Sequence, residues 1–230
     1  MYGVRREARN LRHKSFVERE AITAMIFEKL NVGHMGVNCY IVGDCDEVFV
    51  IDPGGHPERI CNHIKQNNYC VKYIILTHCH FDHILAAEKV KIATGAKLIV
   101  GQNEAENLAD NTVNMTARFV KTPFALTPDL YVTEGDILYS GKYAFTVIET
   151  PGHTSGSICL YCPKENILFS GDTLFRSSVG RSDFPTGNQK DLINSIQEKL
   201  FTLPEDTIVY PGHDSETSIE FEKNHNPYIR

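Results

Sequence analysis

The chain has 230 residues, of which 42% are hydrophobic and 23% charged, and its formal net charge is −6. This length and apolar content suffice for a large hydrophobic core. The acidic balance argues against a nucleic-acid-binding protein, which needs clustered Lys and Arg. No apolar run reaches the roughly 20 residues of a membrane helix. We therefore expect neither a nucleic-acid partner nor a membrane partner.

Seven cysteines occur at irregular spacing. An odd number without regular spacing favours a reducing compartment over a secreted disulfide framework, so we predict a cytoplasmic protein. Cys159 and Cys162 form a CxxC motif, but the sequence has no second CxxC to complete a four-cysteine zinc site. We interpret these two cysteines as residues of a strand.

Residues 1–24 are rich in arginine and lack the apolar segment of a secretory signal. Glu7, Glu18 and Glu20 count against a transit peptide. A regular pattern of strands and helices begins around Met25. We predict that residues 1–24 are a dispensable extension and that residues 25–230 form one domain.

In the first half of this domain, short β-branched and aromatic runs alternate with helical patterns. Pro57 and Gly95 stand where a helix is predicted to begin and to end. The predicted elements are strands at 24–30, 39–43 and 48–52, a helix at 57–68, a strand at 71–78, a helix at 84–95 and a strand at 96–101. Residues 102–129 are predicted as a short helix followed by a loop.

The second half repeats this alternation. The predicted elements are strands at 143–150, 157–162 and 166–171, a helix at 189–203, a strand at 206–210 and a helix at 215–225. The helix at 189–203 is amphipathic, because its leucine and isoleucine residues recur on one face. Strands and helices alternate without a linker, which predicts an α/β fold with a two-sheet core and helices outside.

Histidine or aspartate residues follow four of these strands. They are His78, His80, Asp82, His83, His153, Asp172 and His213. A lone residue of this kind is ordinarily part of a surface turn. However, a strand end anchors the backbone while its turn directs side chains into a cleft. Seven such residues at four strand ends therefore predict a metal site.

The side chains of His78 and His80 point to the same side if the chain is extended, with Cys79 and Phe81 as spacers that face away. Imidazole and carboxylate ligands suit zinc, iron and manganese. Seven ligands are too many for one tetrahedral ion. We predict two divalent metal ions, zinc in the first place with iron or manganese as alternatives, which share a carboxylate and a water of near-neutral pKa.

The HxHxDH motif at His78–His83, with its ordered downstream partners, resembles the signature of the metallo-β-lactamase superfamily. The resemblance extends over residues 25–230 and implies an αββα sandwich of two mixed sheets with helices on the outer faces. The site would lie at the edge between the sheets.

The resemblance also implies a role for each residue of the site. The first metal would be held by His78, His80 and His153, and the second by Asp82, His83 and His213. Asp172 would bridge the two ions, and Asp82 and Asp172 would act in catalysis together with the metal-bound hydroxide. Asp52 in "VIDPGG" would support the ligands from behind; otherwise it forms an ordinary turn.

Within the superfamily, "GVNCYIV", "GDTLF" and "VGRSDFPTGN" are similar to the glyoxalase II-like hydrolases. These enzymes cleave hydroxyacylglutathione thioesters, with a metal-bridging hydroxide attacking the carbonyl. Arg181 would contact an anionic substrate; otherwise it is a surface residue. Only residues 214–230 follow His213, fewer than the helical domain with which glyoxalase II binds glutathione. We therefore expect a short-form thioesterase with open glutathione specificity.

Two alternatives use the same residues. A persulfide dioxygenase of this superfamily would hold one iron with His78, His153 and Asp172, an arrangement suited to O₂ chemistry. A non-catalytic metal-binding module belongs to another class of protein, and the complete ligand set argues against it. A phosphodiesterase acting on tRNA would need a basic arm, and a lactonase or a true β-lactamase is also disfavoured.

Overall fold

The computed structural model describes residues 24–229, in which two six-stranded mixed sheets pack face to face. Sheet A contains, in spatial order, β1 (Ile26–Val32), β2 (Val37–Asp44), β3 (Glu47–Ile51), β4 (Cys70–Ile75), β5 (Lys97–Gly101) and β6 (Leu130–Val132). Its first three strands pair antiparallel, and β3 to β6 run parallel.

Sheet B contains, in spatial order, β14 (Thr217–Ser218), β13 (Ile208–Pro211), β10 (Ile167–Gly171), β9 (Ile158–Cys162), β8 (Tyr143–Glu149) and β7 (Ile137–Ser140). Its strands pair antiparallel except β10 and β13, which run parallel and therefore end at the same edge. A small hairpin of β11 (Leu174–Phe175) and β12 (Ser178–Val179) follows β10.

Residues 24–229 contain seven α-helices. They are α1 (Pro57–Gln66), α2 (Phe81–Ile84), α3 (Ala87–Thr94), α4 (Ala105–Ala109), α5 (Thr116–Phe119), α6 (Gln189–Glu198) and α7 (Ile219–His225). Apolar side chains of α1 and α3 pack on sheet A, and those of α6 and α7 pack on sheet B. A third cluster, with Tyr40, Phe49, Phe145 and Phe169, lies between the sheets. The layers are helix, sheet, sheet, helix.

The central strand β2 shows how the sequence produces these layers. All of its residues are buried, because both faces of sheet A are covered. Cys39 and Ile41 face the helices, while Tyr40 and Val42 face sheet B. Successive side chains of a strand point to opposite faces, so a continuous apolar run supplies both layers at once.

The predicted αββα class with two mixed sheets is confirmed. The helix predicted at 84–95 is wrong at its beginning, because α2 already starts at Phe81 and the chain breaks before α3. The helix predicted at 215–225 begins only at Ile219, since Thr217 and Ser218 pair with β13. The strands β6, β7, β11 and β12 were not predicted, because such short segments carry almost no periodic signal.

Cys159 and Cys162 both lie in β9 and are buried on opposite faces of sheet B. This agrees with their interpretation as strand residues. Within residues 24–229, no helix is long and apolar enough to cross a membrane. The dispensable extension predicted at 1–24 lies outside the described residues except for Ala24, and the single domain predicted for 25–230 stays a prediction.

Candidate metal centre

The predicted ligands follow β4, β8, β10 and β13, and the structure brings all seven together where the ends of these strands meet. Three of the strands belong to sheet B and one to sheet A. The backbone joins the sheets here, since Ile158 N donates to Thr77 O at 2.9 Å and Asn38 N donates to Gly212 O at 2.7 Å. The site therefore lies at the common edge of the two sheets.

One cluster consists of His78, His80 and His153, all buried, with their candidate ligand atoms within 4.8 Å of one another. His80 Nδ1 lies 2.8 Å from His153 Nε2. His153 Nδ1 donates to the carbonyl oxygen of Arg181 at 2.7 Å, which leaves Nε2 facing the cluster. This is the ligand set predicted for the first metal.

A second cluster consists of Asp82, His83 and His213, again with ligand atoms within 4.8 Å. His213 Nε2 lies 3.3 Å from Asp82 Oδ2 and 3.3 Å from His83 Nε2. Asp82 lies in the first turn of α2, whose single turn carries both Asp82 and His83. The local helix thus places two adjacent residues of the sequence beside His213, which is remote in the chain.

Asp172 lies between the two clusters. Its Oδ2 is 3.6 Å from His153 Nε2 and 3.7 Å from His213 Nε2, and its Oδ1 is 3.3 Å from His83 Nε2. One carboxylate is therefore close to imidazoles of both groups. This position suits a carboxylate that bridges two ions.

Asp52, His78 and His83 form a third group with metal-like spacing. However, the Asp52 carboxylate already accepts hydrogen bonds from Thr77 N at 2.8 Å, Thr77 Oγ1 at 2.6 Å and His83 Nδ1 at 2.9 Å. Because His83 donates through Nδ1, its Nε2 faces Asp172 and His213. Asp52 thus orients a predicted ligand and has little capacity left to bind an ion itself.

The chemistry of the site fits metal ions. His78 Nε2, His80 Nε2 and Asp172 Oδ1 are buried without a hydrogen-bond partner among the described residues. Such groups are costly unless something binds them. Space is also reserved, because a Cβ at Gly212 would lie 2.4 Å from Asp172 Oδ1 and 2.6 Å from His83 Cε1. Glycine at this position leaves room between the two side chains.

The two clusters differ in their affinity for protons. Burial lowers the pKa of His80 to about 3 and holds the pKa of His78 well below its usual value. Burial also acts to lower the pKa of His83 and His213, but neighbouring aspartates outweigh it and raise both values. Burial acts to raise the pKa of Asp172, yet the adjacent histidines, His83 above all, hold it well below the usual range.

Glu104 supports the site but was not predicted from the sequence. Its side chain is fully buried and accepts from Cys79 N at 2.8 Å and from Gly156 N at 2.9 Å. It therefore joins the loop that carries His78 and His80 to the loop that follows His153. An isolated glutamate after a strand gives no signal of this role in the sequence.

The family model of the metallo-beta-lactamase superfamily matches residues 32–213, a range that includes all seven predicted ligands. The chain belongs to this superfamily. Two curated relatives are each 36% identical to this superfamily member. The probable metallo-hydrolase YqgX of Bacillus subtilis aligns over 89% of this chain and 98% of its own length. The hydroxyacylglutathione hydrolase GloC of Haemophilus influenzae aligns over 84% and 92%, respectively.

Solved structures of the superfamily share the fold. The B3 metallo-beta-lactamase BLEG-1 has a TM-score of 0.84 and 36% identity over 89% of this chain and 99% of its own. A di-iron-bound form of TTHA1623 has a TM-score of 0.80 and 31% identity over 87% and 99%. ETHE1 from Myxococcus xanthus has a TM-score of 0.75 and 32% identity over 88% and 84%.

A cleft of about 690 Å³ opens beside the clusters in this superfamily member. Phe81 lines it and stacks on Phe119 with ring centroids 4.7 Å apart, so the expectation that Phe81 faces away is wrong. Cys79 does face away, into the core under sheet A. Arg181 also lines the cleft, but its guanidinium makes a bidentate pair with Asp183 at 2.9 and 2.7 Å.

Proposed function

We propose that this protein is a metal-dependent thioester hydrolase of the glyoxalase II type, with two divalent ions at the two clusters. The main support for two ions is the position of Asp172, whose carboxylate lies within 3.7 Å of an imidazole of each cluster. A mononuclear site has no need of a second complete set of ligands. The GloC relative supports a thioester as the bond that is cleaved.

The chain's residues would hold the ions and fix their surroundings. The first ion would be bound by His78, His80 and His153 and the second by Asp82, His83 and His213. Asp172, which lies near imidazoles of both clusters, would be shared. Bound ions supply a water of lowered pKa and a Lewis acid for the thioester carbonyl. Asp82 and Asp172 would contribute negative charge beside the reacting water, and Asp52 would hold His83 in its metal-binding orientation.

The leaving group needs no dedicated acid. A thiol of this kind has an ordinary pKa of about 8.5, so its thiolate departs readily at neutral pH. Zinc is the ion we expect, and the di-iron form of TTHA1623 supports iron as an alternative. The seven cysteines of the sequence are free thiols in this structure, which supports a reducing, cytoplasmic location.

A second candidate function is a mononuclear iron dioxygenase, which the likeness to ETHE1 favours. It would use His78, His153 and Asp172, and indeed Asp172 Oδ2 lies 3.6 Å from His153 Nε2. Under this hypothesis the second cluster is not required for metal binding. The two functions therefore differ in the number of ions and in the role of His213.

The deciding experiment measures metal content per chain together with two activities. We expect about two ions and thiol release from lactoylglutathione. A His213→Ala variant should lose one ion and most of its activity, while a matched variant of the exposed His34 should retain both. One iron per chain, retained in His213→Ala, with oxygen uptake from glutathione persulfide and no thiol release, would establish the dioxygenase instead. If His80→Ala left the hydrolytic activity of the purified protein unchanged, that activity would not come from the metal site. The non-catalytic metal-binding module would then be the better hypothesis.

A further inference from the structure

We propose that Arg176, an exposed residue at the mouth of the cleft, binds a carboxylate of the thioester substrate and so contributes to substrate affinity. This inference rests on the proposed thioesterase function and assigns a substrate-binding role to a residue that the sequence did not single out. Arg176 lines the same cleft as His80, His153 and His213. It lies in the two-residue turn between β11 and β12, directly after the strand that follows Asp172.

Hydrogen bonds to Glu222 of α7 hold the turn that carries Arg176 in place. Ser177 N donates to both carboxylate oxygens of Glu222 at 3.1 Å, and this contact holds Ser177 in a left-handed conformation with φ of 55°. Glu222 is itself buried and also accepts from Thr217 Oγ1 at 2.6 Å and Asn226 Nδ2 at 2.7 Å. A buried carboxylate that accepts hydrogen bonds from three donor groups gives the hairpin tip a defined position.

The guanidinium of Arg176 packs on an aromatic ring and forms no ion pair among the described residues. Its Cζ lies 5.3 Å from the ring centroid of Phe221, a residue of the same helix as Glu222. A cation over a ring face is attracted to it without loss of charge. Among residues 24–229, no carboxylate lies within ion-pair distance of Arg176. The group is thus held at the cleft with its hydrogen-bond donors available.

Among the other charged residues of the cleft, Arg181 and the two aspartates of the metal clusters are paired, whereas the exposed carboxylate of Asp214 has no ion-pair partner within residues 24–229. Arg181 is neutralised by Asp183, and its guanidinium lies 4.0 Å from the Phe184 ring centroid. Asp82 and Asp172 lie among the histidines of the metal clusters. Arg176 is therefore the cleft arginine that has no acidic partner within the described chain. An arginine in this state binds carboxylates through paired donors.

The remaining walls of the cleft suit the uncharged part of such a substrate. Met35, Met115, Phe119 and Phe175 line it with flexible thioether and flat aromatic surfaces. An acyl group would lie at the metal clusters, and a carrier with an apolar or amide body would extend along these side chains. Its carboxylate would end at Arg176.

The experiment compares Arg176→Gln with the wild-type protein, both zinc-loaded, on two thioesters. Lactoylglutathione carries carboxylates, and the lactoyl thioester of N-acetylcysteamine carries none. For the first substrate we expect KM to rise roughly 10-fold with kcat nearly unchanged, because a charge-assisted contact is lost equally from ground and transition states. For the second, neither parameter should change. Arg176→Lys should restore part of the affinity, and Lys65→Gln, an exposed cation on α1, is the matched control.

Calorimetric binding of S-methylglutathione tests the inference without hydrolysis, since this probe has no free thiol to bind zinc. Wild-type binding that weakens roughly 10-fold in Arg176→Gln, with an unchanged melting temperature, supports the proposal. No binding to the wild-type protein overturns it, as does an equal affinity in Arg176→Gln or a larger loss in Arg181→Gln. If neither thioester is hydrolysed, the thioesterase proposal fails, and the binding measurement still decides the role of Arg176.

Discussion

Asp52 is a buried side chain that orients residues of the metal centre through its hydrogen bonds. Its residue is 1% exposed and lies in a left-handed backbone conformation with φ of 49°. In this conformation its two carboxylate oxygens accept hydrogen bonds from the backbone N–H and the hydroxyl of Thr77 and from the Nδ1–H of His83. It thereby fixes the start of the loop that carries His78 and the orientation of His83 at once.

Asp52→Asn should weaken metal binding at the second cluster by about 10- to 100-fold. The NH₂ group of the asparagine would face one of the N–H or O–H groups from which Asp52 now accepts a hydrogen bond. His83 would therefore lose the contact that orients it. Metal titration with a competing chelator measures this change. Asp46→Asn, an exposed residue, is the control and should bind as the wild type does. Equal affinities in the two variants would contradict the role of Asp52.

The two clusters should respond differently to pH. Burial lowers the pKa of His80 to about 3 and holds the pKa of His78 well below its usual value, so both imidazoles favour the neutral form that binds metal. Neighbouring aspartates raise the pKa values of His83 and His213, so in the metal-free chain both keep their protons to a higher pH than an ordinary histidine does. A metal must displace these protons, and affinity at the second cluster therefore rises as pH rises.

We expect dialysis at pH 6 to remove the second ion before the first. Metal content measured after dialysis across pH 5–8 should fall from two ions to one as the pH decreases through this range. Calorimetry in buffers of different ionisation enthalpy should show proton release mainly with the second ion. Simultaneous loss of both ions, or loss of the ion at His80 first, would contradict this assignment.

At the scale of elements, the site is built from the ends of strands and the turns that follow them. Gly212, between β13 and His213, is a position where the backbone lies close to the side chains of both Asp172 and His83. Its N–H donates to Gly171 O and its carbonyl accepts from Asn38 N, so the backbone cannot easily move aside. The absence of a side chain here keeps the strand ends at metal-binding distance.

Gly212→Ala should therefore impair metal binding far more than folding. The added methyl would lie 2.4 Å from Asp172 Oδ1, and an overpacked position costs about 1–3 kcal/mol. Metal content and unfolding free energy measure the two effects. Gly95→Ala is the matched control, because its Cβ meets nothing within 4 Å and only its positive φ is strained. Full metal content in Gly212→Ala would contradict this account.

At the scale of the whole molecule, the packing of the two sheets determines which strand ends meet. The aromatic cluster between them includes Tyr40 of sheet A and Phe169 of sheet B, with ring centroids 5.0 Å apart. Tyr40 also donates from its hydroxyl to Pro211 O at 2.7 Å, next to the turn of His213. The inter-sheet core is thus connected directly to the metal-binding edge.

A chain that begins at Met25 should fold and bind metal like the complete chain. β1 starts at Ile26 and pairs with β2 over its whole length, and Met25 and Phe27 already pack against the inter-sheet core. Melting temperature and metal content compare the two proteins. A melting temperature lower by more than about 5 °C, which corresponds to roughly 1–2 kcal/mol in a chain of this size, or loss of an ion would contradict the prediction that residues 1–24 are dispensable.

The sequence by itself determined the layers of the fold and the kinds of group at the site. Alternation and helical spacing are local signals, so they predicted most of the strands and the helices α1 and α6. His78, His153, Asp172 and His213 could be selected because each follows a predicted strand and carries metal-binding chemistry. Short elements such as β6 and β11 gave no such signal, and the start of α7 depended on pairing with β13.

Only the tertiary structure decided which of these residues adjoin. His80 and His153 are 73 positions apart in the chain and 2.8 Å apart in space, a distance that depends on how two sheets pack. The same packing buries Glu104 between two loops and pairs Arg181 with Asp183 while leaving Arg176 at the cleft. Local patterns encode the conformation of each segment, whereas partners across a cleft arise from long-range contacts that no short stretch of sequence contains.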